Sequence, residues 1–492
     1  MTKQFLGFDV GTQGTKGVVI DSGSGSVVAR ASRSYGTITG LPPGASEQDP
    51  QMWLDAVSAV SQELLSDPAV RTDSVAGVGV SGQQHGLVVL DEEDEVIRAA
   101  KLWNDTSCAR ECDSISAFQG WQMPISYTAT KVLWLKEHEP EHWERTRAIL
   151  LPHDYVNFAL TGRMSMEPGD ASGTGFFDPV RRAFTDSLIE FIDPGIREML
   201  PPLTPPGEPA GVLDERGAAL LGLRPGVLVS AGAGDNMASA IGSGATEPGP
   251  VIVSLGTSGT CFEFSDQPVF DPKGWVAAFC DSTGGWLPLV TVMSMTGVTE
   301  QMRGLWPDES HESLTAKAAA VPPGADGLML VPYLGGERTP PLPEATGTLR
   351  GLTYQNLAPG HLFRAAIEGV TLNLAWGIAR MADLGLPMSA LRVVGGGARN
   401  PLWRQILANV TELPVQRLLE PESAALGAAI QAQWTQRGGG DSVTAIARPY
   451  VRLAGGVESP QPAASRMYAQ LREEFVDSVL RSHPGGFSES TA

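Results

Sequence analysis

Two stretches of this chain can be laid over one another. Phe8-Asp9-Val10-Gly11-Thr12-Gln13-Gly14-Thr15 and Val253-Ser254-Leu255-Gly256-Thr257-Ser258-Gly259-Thr260 are each an apolar run, a Gly-Thr-x-Gly-Thr turn and the start of a second extended run. Self-similarity of this kind marks a duplicated structural unit. Later residues extend the match. In each half a long amphipathic pattern precedes an apolar run with a glycine-rich end: Pro50 to Leu65 before Val75 to Gly82, and Leu362 to Leu384 before Leu391 to Gly397. Alternating helices and buried apolar strands define an α/β chain. The expected fold is two similar α/β domains facing one another across a central cleft, 1–243 and 244–492, with the boundary near Gly242 to Pro250. A length of 492 residues accommodates two or three domains.

Phe5 to Val10, Gly17 to Asp21 and Ser26 to Ala31 predict an antiparallel meander, because Gly and Ser turns separate them. The proline-rich region 183–226 is expected to be irregular before a strand at Val227 to Ala231, and Pro460 to Arg481 to form a terminal helical segment. With 42% hydrophobic and 18% charged residues the chain should fold rather than stay disordered. A net charge of -20 excludes a broad electrostatic footprint for nucleic acid or anionic lipid, so any anionic ligand must be held by local structure. No long apolar run predicts a membrane span. Four cysteines make no disulfide scaffold, and MTKQFLGFDVGT has no charged and apolar leader, so a cytoplasmic location is expected. Cys108 and Cys112 lack partners for a zinc set and are expected to pack. His138 and His142 are separated by Pro140, which predicts a solvated loop.

Chemistry concentrates at strand ends. Gly11 and Gly14 let backbone N–H groups approach a phosphate, Thr12 adds a hydroxyl, and Asp9 can hold magnesium through water. One such turn is equally a plain hairpin. A second copy at Gly256-Thr257-Ser258-Gly259 favours a ligand, since one turn per domain can grip a nucleoside triphosphate from opposite sides. Gly11 to Lys16 lacks Walker spacing. Gly395-Gly396-Gly397-Ala398-Arg399-Asn400 lacks the final glycine of a dinucleotide fingerprint and fits either close approach to a purine or a strand-to-helix turn capped by Asn400. Ala231-Gly232-Ala233-Gly234-Asp235-Asn236 delivers Asp235 onto a glycine-flanked turn before Met237 to Ile241. A carboxylate there can take a hydroxyl proton during attack on phosphorus, or cap the helix. Gln84 and His85, in Ser81-Gly82-Gln83-Gln84-His85-Gly86, can read polyol hydroxyls at the end of a central strand. Trp103-Asn104-Asp105 offers an apolar wall and further polar contacts.

Together these residues resemble the FGGY family of carbohydrate kinases, which have the duplicated actin and hexokinase type of fold, with ribonuclease H-like domains. The resemblance runs from Asp9 to about Gly438. Two family signatures stand complete: Ser126-Tyr127-Thr128-Ala129-Thr130-Lys131-Val132-Leu133-Trp134-Leu135-Lys136-Glu137, and Gly347 through Gly351-Leu352 to His361-Leu362-Phe363-Arg364-Ala365-Ala366-Ile367-Glu368. Ser81 to Gly86, Leu102 to Asp105 and Pro332 to Pro340 look most like the xylulokinase branch. The resemblance implies Asp235 as general base, with Asn236, Gln84, His85 and Trp103 around the sugar and Asp9 near Mg2+. It places Thr12, Gln13 and Lys16 toward the phosphates of ATP with Gly256 and Thr257, and Gly297, Gly396, Gly397 and Asn400 along the nucleotide. Gln84 departs from those members of the branch that carry Met. The implied reaction is ATP-dependent phosphorylation of a ketopentose, D-xylulose to D-xylulose 5-phosphate. The implied partners are the small-molecule sugar and ATP, with no nucleic acid and no membrane; a homodimer is compatible with the chain, whose sequence does not set the oligomeric state. The alternatives are a kinase of another pentulose or polyol, such as ribulose or glycerol, and a sensor that binds sugar and nucleotide without transfer. An intact Asp235 and the lack of any DNA-reading module argue against the sensor.

Overall fold

The computed structural model describes residues 2–484. Twelve strands form the common frame of two sheets. In the first, β1 (Gln4–Val10), β2 (Gly14–Asp21) and β3 (Ser26–Ser34) make the expected antiparallel meander, and β4 (Val75–Gly82) runs parallel to β1. The outer strands are β5 (Pro209–Val212) and β6 (Leu228–Ser230), with β6 parallel to β4 and β5 antiparallel to β6. The second sheet repeats this with β7 (Pro250–Leu255), β8 (Gly259–Glu263) and β9 (Leu289–Val292) as meander, and β10 (Ala390–Val394), β11 (Val415–Leu418) and β12 (Leu453–Glu458) beyond. Its pairings have the same senses, strand for strand: β7 and β8 antiparallel, β8 and β9 antiparallel, β7 and β10 parallel, β10 and β11 parallel, β11 and β12 antiparallel. The repeated turn is therefore the outward sign of a repeated sheet.

Helices cover the sheets for local reasons. Pro50 opens α1 (Pro50–Ser66), Asp49 caps it by accepting from the Gln51 N–H, and Trp53, Val57, Val60 and Leu64 form its buried stripe. The second-sheet counterpart is α4 (Pro359–Asp383), preceded in the chain by α2 (Asp235–Ser243) and α3 (Thr296–Gly304), and followed by α5 (Pro401–Thr411), α6 (Ser423–Gln436) and α7 (Pro462–Ser482). Both signature segments are structural. The buried Lys131 donates to the Ser126 carbonyl at 2.7 Å, and the buried Arg364 and Glu368 pair at 2.7 Å while the Tyr468 hydroxyl from α7 donates to Glu368 at 2.6 Å.

Two expectations need correction, and one packing feature was not anticipated. The region 183–226 is not irregular: it holds helices at Asp186–Ile192, Ile196–Met199 and Glu215–Leu221, and strand β5. His138 ends the helix Thr128–His138, and Pro140 opens another at Pro140–Arg145 that carries His142, so the pair is not in a loop. Finally, α6 lies in the second half of the sequence but packs on the first sheet. A Cβ on Gly7 would sit 2.0 Å from the Ala425 carbonyl oxygen, and one on Gly79 2.0 Å from that of Ala428. The opposite side of α6 meets α2 equally closely, with a Cβ on Gly427 only 1.8 Å from the Ala238 oxygen and one on Gly242 1.9 Å from the Ser423 oxygen. Side chains are excluded at these crossings, so backbone rests on backbone. The helix whose first residue is Asp235 is thereby seated against a helix that is itself seated on the first sheet.

Candidate active site

The first turn is held from outside. Gly11 N–H donates to the Gly14 carbonyl at 3.0 Å, and the Tyr35 hydroxyl donates to the Gly11 carbonyl at 2.8 Å. Thr12 gives its hydroxyl proton to Gln83 Oε1 at 2.8 Å and receives the Trp103 indole N–H at 3.0 Å. Trp103 thus braces the turn through its polar edge, and Asp105, expected to offer polar contacts, is buried and committed to Lys101 Nζ at 3.0 Å and the Ser46 N–H at 2.8 Å. Gln13 is exposed. Lys16 stands opposite Asp9 in the hairpin, with Nζ 2.7 Å from Glu422 Oε2 just before α6. Asp9 accepts one hydrogen bond, from Ser81 Oγ at 3.0 Å. Burial pushes its carboxyl up to about 6, against the pull of Ser81 and Lys16, and Glu422 adds to the rise.

The second turn is pinned to the start of α3. Thr296 donates its N–H at 2.9 Å and its hydroxyl at 2.6 Å to the Gly256 carbonyl, and Gly297 N–H donates to the Thr257 carbonyl at 3.2 Å. A Cβ on Gly397 would lie 2.9 Å from Leu255 Cβ and 3.2 Å from Thr296 Cγ2, so the glycine-rich loop joins the same cluster. Gly396 faces open space. Asn400 caps α5: its Oδ1 accepts the Trp403 N–H at 3.2 Å and its Nδ2 donates to Thr315 Oγ1 at 2.9 Å. The structure therefore brings Gly256, Thr257, Gly297 and Gly397 together and gives Asn400 the cap role.

Between the turns stands Asp235, the first residue of α2. One of its oxygens, Oδ1, accepts the Asn236 N–H at 2.7 Å and Asn236 Nδ2 at 2.9 Å, and among the described residues nothing donates to Oδ2. Burial, then the nearby Asp9 and Asp170 carboxylates, push Asp235 up to about 8 despite the Asn236 bonds. Asn236 joins the two halves, since Nδ2 also donates to Gln84 Oε1 at 2.9 Å while Oδ1 accepts the Thr260 hydroxyl from β8 at 3.2 Å. His85 follows Gln84 with φ 65°, a left-handed conformation that a non-glycine residue adopts only when its surroundings enforce it. Its ring stacks 6.0 Å from Phe279 and lies tilted 5.3 Å from Tyr127. Burial, then the Lys131 and Arg338 cations, hold it well below the ordinary histidine range, which favours the neutral ring.

Sequence reasoning passed over Arg338, whose cation acts on His85. Glu337 anchors its loop by accepting N–H groups of Met293 at 2.6 Å, Ser294 at 3.2 Å and Arg338 at 2.8 Å. Arg338 itself reaches toward the first half, where its guanidinium donates to Ser126 Oγ at 3.4 Å, and among the described residues no carboxylate pairs with it. Burial draws its guanidinium below the ordinary value, with Tyr127 opposing. The signal in the sequence is an arginine in the glycine- and proline-flanked stretch Gly335-Gly336-Glu337-Arg338-Thr339-Pro340. Away from the site, all four cysteines are buried free thiols, and Glu111, Glu137 and His138 approach each other at the surface, with His138 Nε2 3.0 Å from Glu111 Oε1. Among the described residues no helix is long and apolar enough to cross a membrane.

Two glycine turns on duplicated sheets, with a half-buried carboxylate and polar side chains between them, fit a phosphotransferase acting on an alcohol group. Residues 4–242 match the N-terminal domain, and 251–435 the C-terminal domain, of the FGGY family of carbohydrate kinases, and the chain belongs to that family. It is 39% identical over 446 residues to a xylulose kinase of Haemophilus influenzae, covering 87% of this chain and 90% of that protein. It is 38% identical over 466 residues to a xylulose kinase of Streptomyces coelicolor, with 92% of each covered. A crystal structure of a xyloylose kinase from Brucella ovis superposes with a TM-score of 0.90 at 29% identity, over 98% of this chain and 99% of that one.

Proposed function

We propose that this carbohydrate kinase transfers the γ-phosphoryl group of ATP to the 5-hydroxyl of a ketopentose, D-xylulose, in the cytoplasm, and that the halves 1–243 and 244–492 close on the substrates. The observation that carries the reading is the asymmetry of Asp235: one oxygen is committed to Asn236 and the other is free to accept a proton, on a wall shared with Gln84 and His85. In the reaction the sugar hydroxyl oxygen forms a bond to the γ-phosphorus, its proton passes to Asp235 Oδ2, and the bond from the γ-phosphorus to the bridging oxygen breaks, releasing ADP.

Asp235 accepts that proton only when ionised, and burial beside Asp9 opposes ionisation. A divalent cation suits this spot, because Asp9 is a carboxylate that among the described residues accepts a single side-chain hydrogen bond, with the Asp235 carboxyl near it and the Lys16 ammonium held by Glu422. Held there by Asp9, Mg2+ would offset phosphate charge and favour the ionised base. Gly11, Gly14, Gly256 and Thr257 bring backbone groups close to the phosphates, with Thr12 shaping its turn through Gln83 and Trp103. Gln13 and Lys16 flank the phosphates, Lys16 on leaving Glu422, while Gly297, Gly396 and Gly397 border the nucleotide and Asn400 holds that loop by capping α5. Gln84, His85 and Asn236 bind the sugar hydroxyls.

The test is ADP release by the purified protein across D-xylulose, D-ribulose, glycerol and related polyols, with phosphorus NMR of the product. D-Xylulose should give the highest kcat/KM and a phosphate ester at carbon 5. A preference for another acceptor by more than about tenfold, a difference of roughly 1.4 kcal/mol in transition-state binding, would overturn the substrate assignment.

A further inference from the structure

Behind Gln84 lies a buried polar chain. His153, Asp154 and Asp170 have no exposed surface. His153 Nδ1 is 2.6 Å from Asp170 Oδ2, and its Nε2 is 3.1 Å from Asp154 Oδ1. Glycines make room for the ring: a Cβ on Gly232 would lie 2.5 Å from His153 Cδ2, and one on Gly82 3.0 Å from His153 Cβ. Burial alone would lower the histidine, but Asp154 and Asp170, which flank the ring, outweigh it and push it up, while burial pushes Asp154 up as well. Glu167 completes the cluster by accepting the Asp170 N–H at 2.6 Å.

The other oxygen of Asp170 accepts Gln84 Nε2 at 3.4 Å. That contact has a consequence two residues away. An amide has a donor end and an acceptor end, so an acceptor-only carboxylate facing Gln84 turns its Oε1 outward. Oε1 accepts Asn236 Nδ2 at 2.9 Å, and the same Nδ2 donates to Asp235 Oδ1 at 2.9 Å. Reversal of Gln84 would set two amide nitrogens against each other and push Asn236 off the base.

We propose that Asp170, clamped by His153, is a positioning residue for phosphoryl transfer: it sets the sense of the Gln84 amide and, through Asn236, commits one oxygen of Asp235 and leaves the other for the sugar hydroxyl. This rests on Asp235 acting as the base. The alternative is a buried ion pair that merely stabilises the fold.

A double-mutant cycle separates the two. Asp170→Asn replaces the acceptor-only group with an amide, so Gln84 loses its imposed sense. kcat should fall about ten- to a hundredfold, with the KM for ATP unchanged. In a Gln84→Ala background the chain is already cut, and the same substitution should cost no more than about twofold. Multiplicative losses in the double variant would overturn the proposal. If Asp170→Asn does not fold, His153→Gln and His153→Leu carry the test: Gln keeps a donor for Asp170 and should retain most of the kcat, whereas Leu should not. Equal kcat in those two variants would also overturn it. A wild type inactive on every pentulose and polyol removes the functional reading with the inference; an active wild type with multiplicative losses removes the inference alone.

Discussion

Substituting Gly427 by Ala tests whether chemistry at Asp235 depends on how closely α2 and α6 pack. The added Cβ would lie 1.8 Å from the Ala238 carbonyl oxygen, 2.6 Å from its carbon and 2.9 Å from the Gly242 nitrogen. All three are backbone atoms, so no rotamer change relieves the overlap. The helices must part by about 1.5 Å before the contact becomes an ordinary one. Overpacking of this kind costs about 1–3 kcal/mol. With each half of the chain as the unfolding unit, that is a fall in Tm of about 3–10 °C. Ala238 lies one turn beyond Asp235 on the same helix, and a displacement of about 1 Å at a reacting group lowers turnover by about a hundredfold. Differential scanning fluorimetry and a coupled ADP assay read the two effects, with Gly440→Ala as control because a Cβ there meets nothing within 4 Å. An unchanged Tm would refute the packing argument. A lowered Tm with wild-type kcat would refute the link from helix spacing to the base.

Asp235→Asn should lower kcat by about a hundredfold or more while sugar affinity, measured by calorimetry, survives better. The same variant should gain stability relative to the wild type as pH rises: the folded carboxyl is raised from 3.8 to about 8, so the wild type's favourable contribution is complete below the unfolded value and is lost as pH climbs through about 8. Thermal melts should coincide near pH 4 and separate by pH 8, with the variant melting higher; the opposite order would contradict a raised Asp235. His85→Ala should weaken sugar binding by on the order of 1–3 kcal/mol and ATP binding much less, and equal losses in paired titrations would point instead to damage in the first half. Arg338→Met should raise the KM for pentulose about tenfold without lowering Tm, since an unpaired buried cation adds little to stability; an unchanged KM would remove Arg338 from the sugar site.

The duplicated frame was legible because its markers are local. The end of a strand, a glycine turn and the start of a second strand occupy eight consecutive residues in each half, and the apolar runs around them become β1, β2, β7 and β8. Proline misled where it starts elements instead of ending them. Pro140 is the first residue of a helix and Pro209 the first of β5, and the seven-residue helix Asp186–Ile192 is too short for its buried Leu188, Ile189 and Ile192 to display a period. The seat of α6 on the first sheet was hidden for another reason. Gly7, Gly79 and Gly242 are scattered along the chain, and only the fold shows that all three meet α6, whose own Gly427 meets α2.

At the site, residue types were legible and their commitments were not. Asp9, Asp235, Gln84 and His85 stand at strand ends, where α/β sheets place ligands, so position and chemistry pointed the same way. Which atom of each remains available is decided by competitors far away in sequence. Thr12 offers a hydroxyl, but its proton belongs to Gln83; Lys16 offers an ammonium, but Glu422, some four hundred residues later, holds it; Asn400 offers an amide, but α5 and Thr315 use both ends. The same competition makes Asp235 useful. Asn236 takes Oδ1 twice, by N–H and by Nδ2, and Gln84 keeps Asn236 turned that way. A carboxylate with one oxygen occupied has a single direction in which to accept a proton, and that direction is set by Asn236 of α2, held in turn by the Gln84 acceptor just after β4 and the Thr260 donor of β8, neither of which is near Asp235 in the chain.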